Sequence, residues 1–208
     1  RRGDQYIGIQ PVREWYNTKV VIDGFSMYPF EETEKAYHFL IGRLNSAYLR
    51  DTLQQFYEAI QRLRPGNRAP AFTLQDEKGK KVSLADFKGK VVYIDFWGVG
   101  CGPCIYEIKN HVPDLQKRYE GKDVVFLNIC VDAKGKQWTD ALQKYKMSGI
   151  NLYADGWDEN PVCQDYNVKA IPHYVLIDKD GNIVNNKAPR ASELLGTGRD
   201  NAIDALLK

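Results

Sequence analysis

Residues Val91–Glu107 read VVYIDFWGVGCGPCIYE, and the two halves of this stretch call for different backbones. Val91 to Phe96 is a continuous apolar run holding one acid, Asp95, and reads as a strand buried on both faces in the middle of a sheet. Gly98 and Gly100 then turn the chain into Cys101-Gly102-Pro103-Cys104, beyond which Ile105, Ile108, Val112 and Leu115 recur at helical spacing. Two cysteines therefore sit where a strand hands over to a helix, with Cys101 at or near the helix N-cap. Unpaired backbone N–H groups and the positive end of the helix dipole favour an anion at that point. A thiol there is expected to have a depressed pKa and to be a thiolate at neutral pH. Cys104, one turn into the helix, lies within disulfide reach, so the pair reads as a reversible dithiol switch.

As a thiolate, Cys101 would attack a substrate disulfide and form a mixed disulfide, which Cys104 would resolve. A merely stabilising disulfide fits less well, because so short a loop offers little chain entropy to remove. A metal corner lacks two further well-spaced ligands. Asp95 inside an apolar strand is costly, on the order of several kcal/mol, unless it is protonated or water-linked with a raised pKa. Such an acid suits a proton acceptor for Cys104; the other reading is an acid turned to solvent from a sheet edge. Glu107 lies one helical turn beyond Cys104 on the same face, where by position alone it reads as an ordinary helix-surface acid. Cys130 ends a second apolar run and reads as a packed core thiol, while Cys163 is core or a secondary redox thiol. A Cys130–Cys163 disulfide is left open, since sequence does not give the geometry.

Asp95-Phe96-Trp97, three residues, then Cys101-Gly102-Pro103-Cys104 resembles the thioredoxin signature D-F-W-x-x-x-C-G-P-C. Ile171-Pro172, ahead of Tyr174–Ile177, resembles the cis-proline loop that faces the dithiol in that fold. Glu107 matches an acid of the TlpA/ResA branch of extracytoplasmic thioredoxins, and Pro70-Ala71-Phe72 with Leu84-x-x-Phe87-x-Gly89-Lys90 resembles the lead-in of that branch and of peroxiredoxins. The resemblance covers roughly Pro70 to the C-terminus. It implies an α/β thioredoxin-like fold, a central mixed sheet with helices on both faces, and a thiol-disulfide oxidoreductase needing no cofactor beyond the Cys101–Cys104 disulfide. Cys101, Cys104, Asp95 and Glu107 are its implied catalytic residues. Trp97, Gly102, Pro103, Ile171, Pro172 and His173 are the implied substrate-binding ones, His173 standing where the family often has Thr. The implied partners are protein or peptide disulfides and a membrane or periplasmic electron-donor thiol protein, and the implied location is the bacterial periplasm or cell envelope. Two departures stand out: Gly100 replaces the Trp before the first Cys, and Lys109 replaces the helix-kinking Pro, for which Pro113 offers a displaced kink.

The 208 residues allow one good core and a small second unit. Lys and Arg total 29 against 27 Asp and Glu, a near balance that gives no footprint for nucleic acid. No apolar run approaches the ~20 residues a membrane span needs. Arg1 is read as the beginning of a processed or trimmed chain, so that a signal or lipid segment upstream stays unseen. Residues 1–65 read as a mainly helical N-terminal region and 66–208 as the thioredoxin-like domain. Within the first part, Lys19 to Ile22 is strand-like, with Asp23-Gly24 as a turn. Arg2-Gly3-Asp4 spells an adhesion tripeptide expected to be chance. From Glu31 to Arg64 two stripes, Tyr37-Ile41-Leu44-Tyr48 and Leu49-Leu53-Phe56-Ile60-Leu63, are out of register by one position. The shift points to a bend or two helices, with Asp51-x-x-Gln54 as the second start. These stripes pack on the domain or on each other, or else form a docking cap above the dithiol.

Further on, Ala71–Leu74 and Lys81–Leu84 flank a turn at Lys78-Gly79 as a hairpin, and Val124–Val131 is a second buried strand. Trp138–Tyr145 is a crossover helix, Leu152-Tyr153 a short strand, and Val162–Tyr166 about one helical turn. Tyr174–Ile177 and Asn182–Asn186 close the sheet as a hairpin, and Asn201–Leu207 is a terminal helix. Two other function classes compete. A peroxiredoxin-like peroxide reductase needs a hydroxyl that Gly98-Val99-Gly100 lacks, and a non-catalytic binding or assembly module would use the N-terminal helices.

Overall fold

The computed structural model describes residues 10–196 and 200–208; the Arg2-Gly3-Asp4 tripeptide lies outside them. Three helices come first, α1 (Gln10–Met27), α2 (Phe30–Ile41) and α3 (Ala47–Ile60). Then follow β1 (Thr73–Asp76), β2 (Lys81–Ser83), β3 (Val91–Trp97), α4 (Gly102–Asn110), α5 (Val112–Arg118), β4 (Val124–Cys130), α6 (Gly135–Tyr145) and β5 (Ile150–Tyr153). The chain ends with α7 (Pro161–Asp165), β6 (His173–Ile177), β7 (Ile183–Asn185), α8 (Ala191–Gly196) and α9 (Ala202–Ala205). The seven strands form one sheet in the order β2-β1-β5-β4-β3-β6-β7. β3 runs parallel to β4, and β4 to β5, while the other neighbours are antiparallel. This is a thioredoxin-like mixed sheet preceded by a helical region.

Every residue of β3 is buried, and strand alternation divides them between two layers. Val91 and Tyr93 pack with α5, α8 and α9, and Trp97 packs with α4 and α6. Val92, Ile94 and Phe96 face the opposite way, into a core shared with α7 and all three N-terminal helices. That core runs without a break from Phe25, Leu53 and Leu63 to Phe96, Ile129 and Val175. Across the junction, Asn167 Nδ2 donates to Ser26 Oγ (2.7 Å), and Arg62 pairs with Asp165 (3.1 Å).

The N-terminal region departs from its sequence reading in two places. Lys19–Ile22 is no strand: it lies within α1, whose buried residues Glu14, Thr18, Val21 and Phe25 recur at helical spacing. Gly24 is not a turn but a close helix contact, since a Cβ there would stand 3.0 Å from Thr33 Cγ2 of α2. The two-helix alternative holds, but α3 is capped by Ser46 rather than Asp51, which is exposed, and Tyr48 is exposed rather than part of a buried stripe. Ser46 Oγ accepts the Leu49 N–H, and Glu14, 32 residues away, accepts the Ser46 N–H (3.0 Å) and Asn45 Nδ2 (2.8 Å). These hydrogen bonds hold the Glu14 carboxyl down at a pKa of about 2.

Candidate active site

Cys101 is the N-cap residue of α4, as its position after the glycine turn implies, and is disulfide-bonded to Cys104. Its Sγ accepts the Cys104 N–H (3.2 Å), so a backbone donor of the first helical turn points at the sulfur. Pro103 costs no hydrogen bond there, because the first-turn N–H groups have no helical partner. Gly102 and Pro103 are exposed, Cys101 is half-buried and Cys104 is fully buried. The dithiol thus presents one sulfur outward and keeps the other inside. The helix breaks at His111, and α5 restarts with Pro113 in its first turn, which supplies the displaced kink.

Asp95 sits in the central strand, so the sheet-edge reading does not apply. It is 2% exposed, and neither carboxyl oxygen has a hydrogen-bond partner among the described residues. Its β4 neighbour Asn128 is no help, since that amide donates to Ser148 O and Asn151 Oδ1. Burial, and then the charge of Glu107, push the Asp95 pKa up to about 8. At neutral pH Asp95 therefore carries its proton. Glu107 is not a surface residue: it is buried, and both oxygens are held from outside its own helix. Ser192 Oγ donates to Oε1 (2.8 Å) and Ser192 N to Oε2 (3.0 Å).

The Ile171–Pro172 bond is cis, and both residues are half-buried. Ile171 closes over Gly98, where a Cβ would meet Ile171 Cδ1 at 2.7 Å and Asp132 Oδ2 at 2.5 Å. Asp132 accepts the Val99 N–H (2.7 Å) and the Gly100 N–H (3.2 Å), fixing the loop that delivers Cys101. Trp97 is fully buried beside Cys104, Ile108 and Cys130. His173 departs from the expected substrate-facing place. Tyr174 takes the α4 side of β6, so His173 points to the opposite layer, buried against Phe96 at 5.9 Å. Burial first, and the nearby Lys187 charge second, lower its pKa to about 3, so it brings no charge to the dithiol. Cys130 and Cys163 are free and buried in clusters on opposite faces of the sheet, not joined to each other. Burial pushes both thiols up to about 12, far from reactive thiolates.

The Redoxin family profile matches residues 64–202. The chain belongs to the Redoxin family. Within this family it is similar to the thiol-disulfide oxidoreductase ResA of Bacillus cereus, at 30% identity over 131 residues, covering 63% of this chain and 73% of that one. ResA of Bacillus subtilis is 31% identical over 124 residues, with coverage of 57% and 64%. The crystal structure of the thioredoxin domain of a thiol-disulfide oxidoreductase from Bacteroides vulgatus superposes with a TM-score of 0.61 at 30% identity, covering 70% of this chain and 99% of that domain. A candidate thiol-disulfide oxidoreductase from the same organism reaches 0.62 at 40% identity, with the same coverage. The Redoxin chain is thus a thioredoxin-like thiol-disulfide oxidoreductase. Among its described residues, no cluster of three or more His, Cys, Asp or Glu could hold a metal, and no helix is long and apolar enough to cross a membrane.

Two residues of this Redoxin site escaped the sequence reading. Asp132 lies two residues past the end of β4, at the end of the sheet that carries the Gly98–Gly100 loop, and an acid there was a usable signal. Ser192 lies 85 residues from Glu107 and gave none.

Proposed function

We propose that this chain carries electron pairs from a donor thiol protein to protein or peptide disulfides, with Cys101 as nucleophile and Cys104 as resolving thiol. The observation that carries the reading is Cys101 at the mouth of α4, with Cys104 and the unpartnered Asp95 carboxyl sealed behind it. In the oxidised state, a donor thiolate attacks Cys101 Sγ and the Cys101–Cys104 bond breaks. Cys104 leaves as a thiolate and takes the proton from Asp95. A second donor thiolate attacks the donor sulfur of that mixed disulfide; the donor's disulfide forms and Cys101 leaves as a thiolate, which the α4 N–H groups stabilise. That thiolate attacks the substrate disulfide: a Cys101–substrate S–S bond forms, the substrate's own bond breaks, and the freed substrate sulfur is protonated. Cys104 returns its proton to Asp95 and attacks Cys101 Sγ, which restores the disulfide and releases the second substrate sulfur as a thiol. Two electrons have then passed from donor to substrate, with no cofactor besides the dithiol. A carboxyl near 8 holds its proton at neutral pH and still releases it to a newly formed thiolate.

Gly102, Pro103, Ile171 and Pro172 form the surface beside Cys101 where an extended substrate segment would lie. Trp97 supports that surface from below, and His173 stays beneath the sheet. Resemblance to ResA-type proteins supports a location in the bacterial periplasm or envelope, where disulfide substrates persist. The test is the Cys101–Cys104 reduction potential, read by Trp fluorescence in graded dithiol buffers. A value below about −250 mV supports a reductase, and one above about −180 mV would make the protein an oxidant or isomerase.

A further inference from the structure

Three buried polar groups, Asp95, Tyr174 and Glu107, lie together between β3, β6 and α4, with the half-buried Ser192 of α8 against Glu107. Of the four, only Glu107 and Ser192 are hydrogen-bonded to each other, and Ser192 supplies both donors. A carboxylate 3% exposed, on a helix that could present it in several rotamers, is thereby fixed in one. We propose that Ser192 is a positioning residue of the dithiol site: it clamps Glu107 one turn from Cys104, so that the Glu107 charge faces Asp95. This rests on the reading of Asp95 as the proton carrier, and it places the tuning element in the C-terminal part of the chain.

The surroundings leave Ser192 as the clamp. From β3, Tyr93 faces the pair, but its hydroxyl donates to Pro189 O (2.7 Å). From β6 comes Tyr174, whose hydroxyl has no partner among the described residues and stays neutral through burial. From the α8 side come Arg190 and Glu193, which pair with each other at 3.4 Å, both close to half exposed. None of these holds the Glu107 oxygens. Removal of the Ser192 hydroxyl leaves a single backbone donor for a buried carboxylate. The Glu107 carboxylate is then no longer held toward Asp95, which weakens its repulsion of that acid.

The experiment is a pH titration of the Asp95 side-chain carboxyl carbon by 13C NMR in the oxidised full chain, assigned by its loss in Asp95→Asn. Glu107→Gln lowers the Asp95 midpoint by removing the charge altogether. Ser192→Ala is expected to lower it in the same direction by about half a pH unit or more, the scale of moving a unit charge a few Å in a protein interior. Ser192→Thr, which keeps the hydroxyl, restores the wild-type midpoint. Adding Ser192→Ala to Glu107→Gln produces no further shift. An unchanged or raised midpoint in Ser192→Ala, or an equal shift in the Glu107→Gln background, overturns the proposal. The reading beneath it fails differently: Asp95→Asn would exchange disulfides with a fluorescent peptide disulfide at the wild-type rate and pH profile, while the Ser192→Ala shift persisted and the clamp stood.

Discussion

Replacing Asp95 with Asn tests the buried acid through stability alone, apart from any activity. In the unfolded chain the carboxyl ionises near its ordinary 3.8, whereas in the folded chain it holds its proton up to about 8. Between those values the native state binds one more proton than the unfolded state, so wild-type stability falls as pH rises, by about 1.4 kcal/mol per unit. At pH 7 the accumulated cost is about 4 kcal/mol, since 3.2 units separate pH 7 from 3.8. An asparagine side chain at this position cannot ionise and escapes that cost. Asp95→Asn is therefore expected to be more stable than wild type by about 4 kcal/mol at pH 7, with the gain shrinking to near zero at pH 4. The assay is urea unfolding of the oxidised protein at unit steps from pH 4 to 8. All other titrating groups cancel in the difference between the two curves. A difference that stays constant with pH would refute a protonated Asp95, and so would one that grows toward acid.

Glu14→Gln removes the carboxylate that holds the start of α3. Because the Glu14 pKa is lowered, its contribution is complete above 4.5 and is lost as pH falls toward about 2. The melting temperature of Glu14→Gln is thus expected to lie below wild type at pH 7 and to converge on it across that window; a gap unchanged at pH 2 contradicts this. Gly98→Ala forces Asp132 and Ile171 off the cysteine loop and is expected to cost about 1–3 kcal/mol in urea unfolding, with slower disulfide exchange. Leu53→Ala, at a fully buried position of the shared core, is expected to cost about 2–5 kcal/mol. Its unfolding followed by circular dichroism and by Trp fluorescence is expected to coincide, and two separate transitions would contradict one core spanning helices and sheet.

The central strand, the dithiol helix and both hairpins were legible because each rests on local pattern: an apolar run, helical spacing, or glycine turns. The kink at Pro113 was legible for the same reason. α1 was not, because its inward face carries Glu14 and Thr18 while Val12, Trp15 and Tyr16 lie outside, which inverts the usual pattern. The α3 terminus, folded back from 31 and 32 residues along the chain, supplies most of the donors that make a buried Glu14 stable. The start of α3 was misplaced for the same long-range reason. In the site, the cysteines, Asp95 and the Ile171–Pro172 loop could be placed from spacing and resemblance. The inward turn of His173 depends on which side of β6 Tyr174 takes, and the Ser192–Glu107 contact joins segments with no shared sequence signal.

Trapping of the covalent intermediate tests the central claim most directly. The Cys104→Ser variant, reduced and mixed with a peptide disulfide, is expected to accumulate a mixed disulfide mapped to Cys101 by mass spectrometry, whereas Cys101→Ser accumulates none. A mixed disulfide on Cys130 or Cys163, or equal trapping by both variants, would contradict Cys101 as the attacking sulfur.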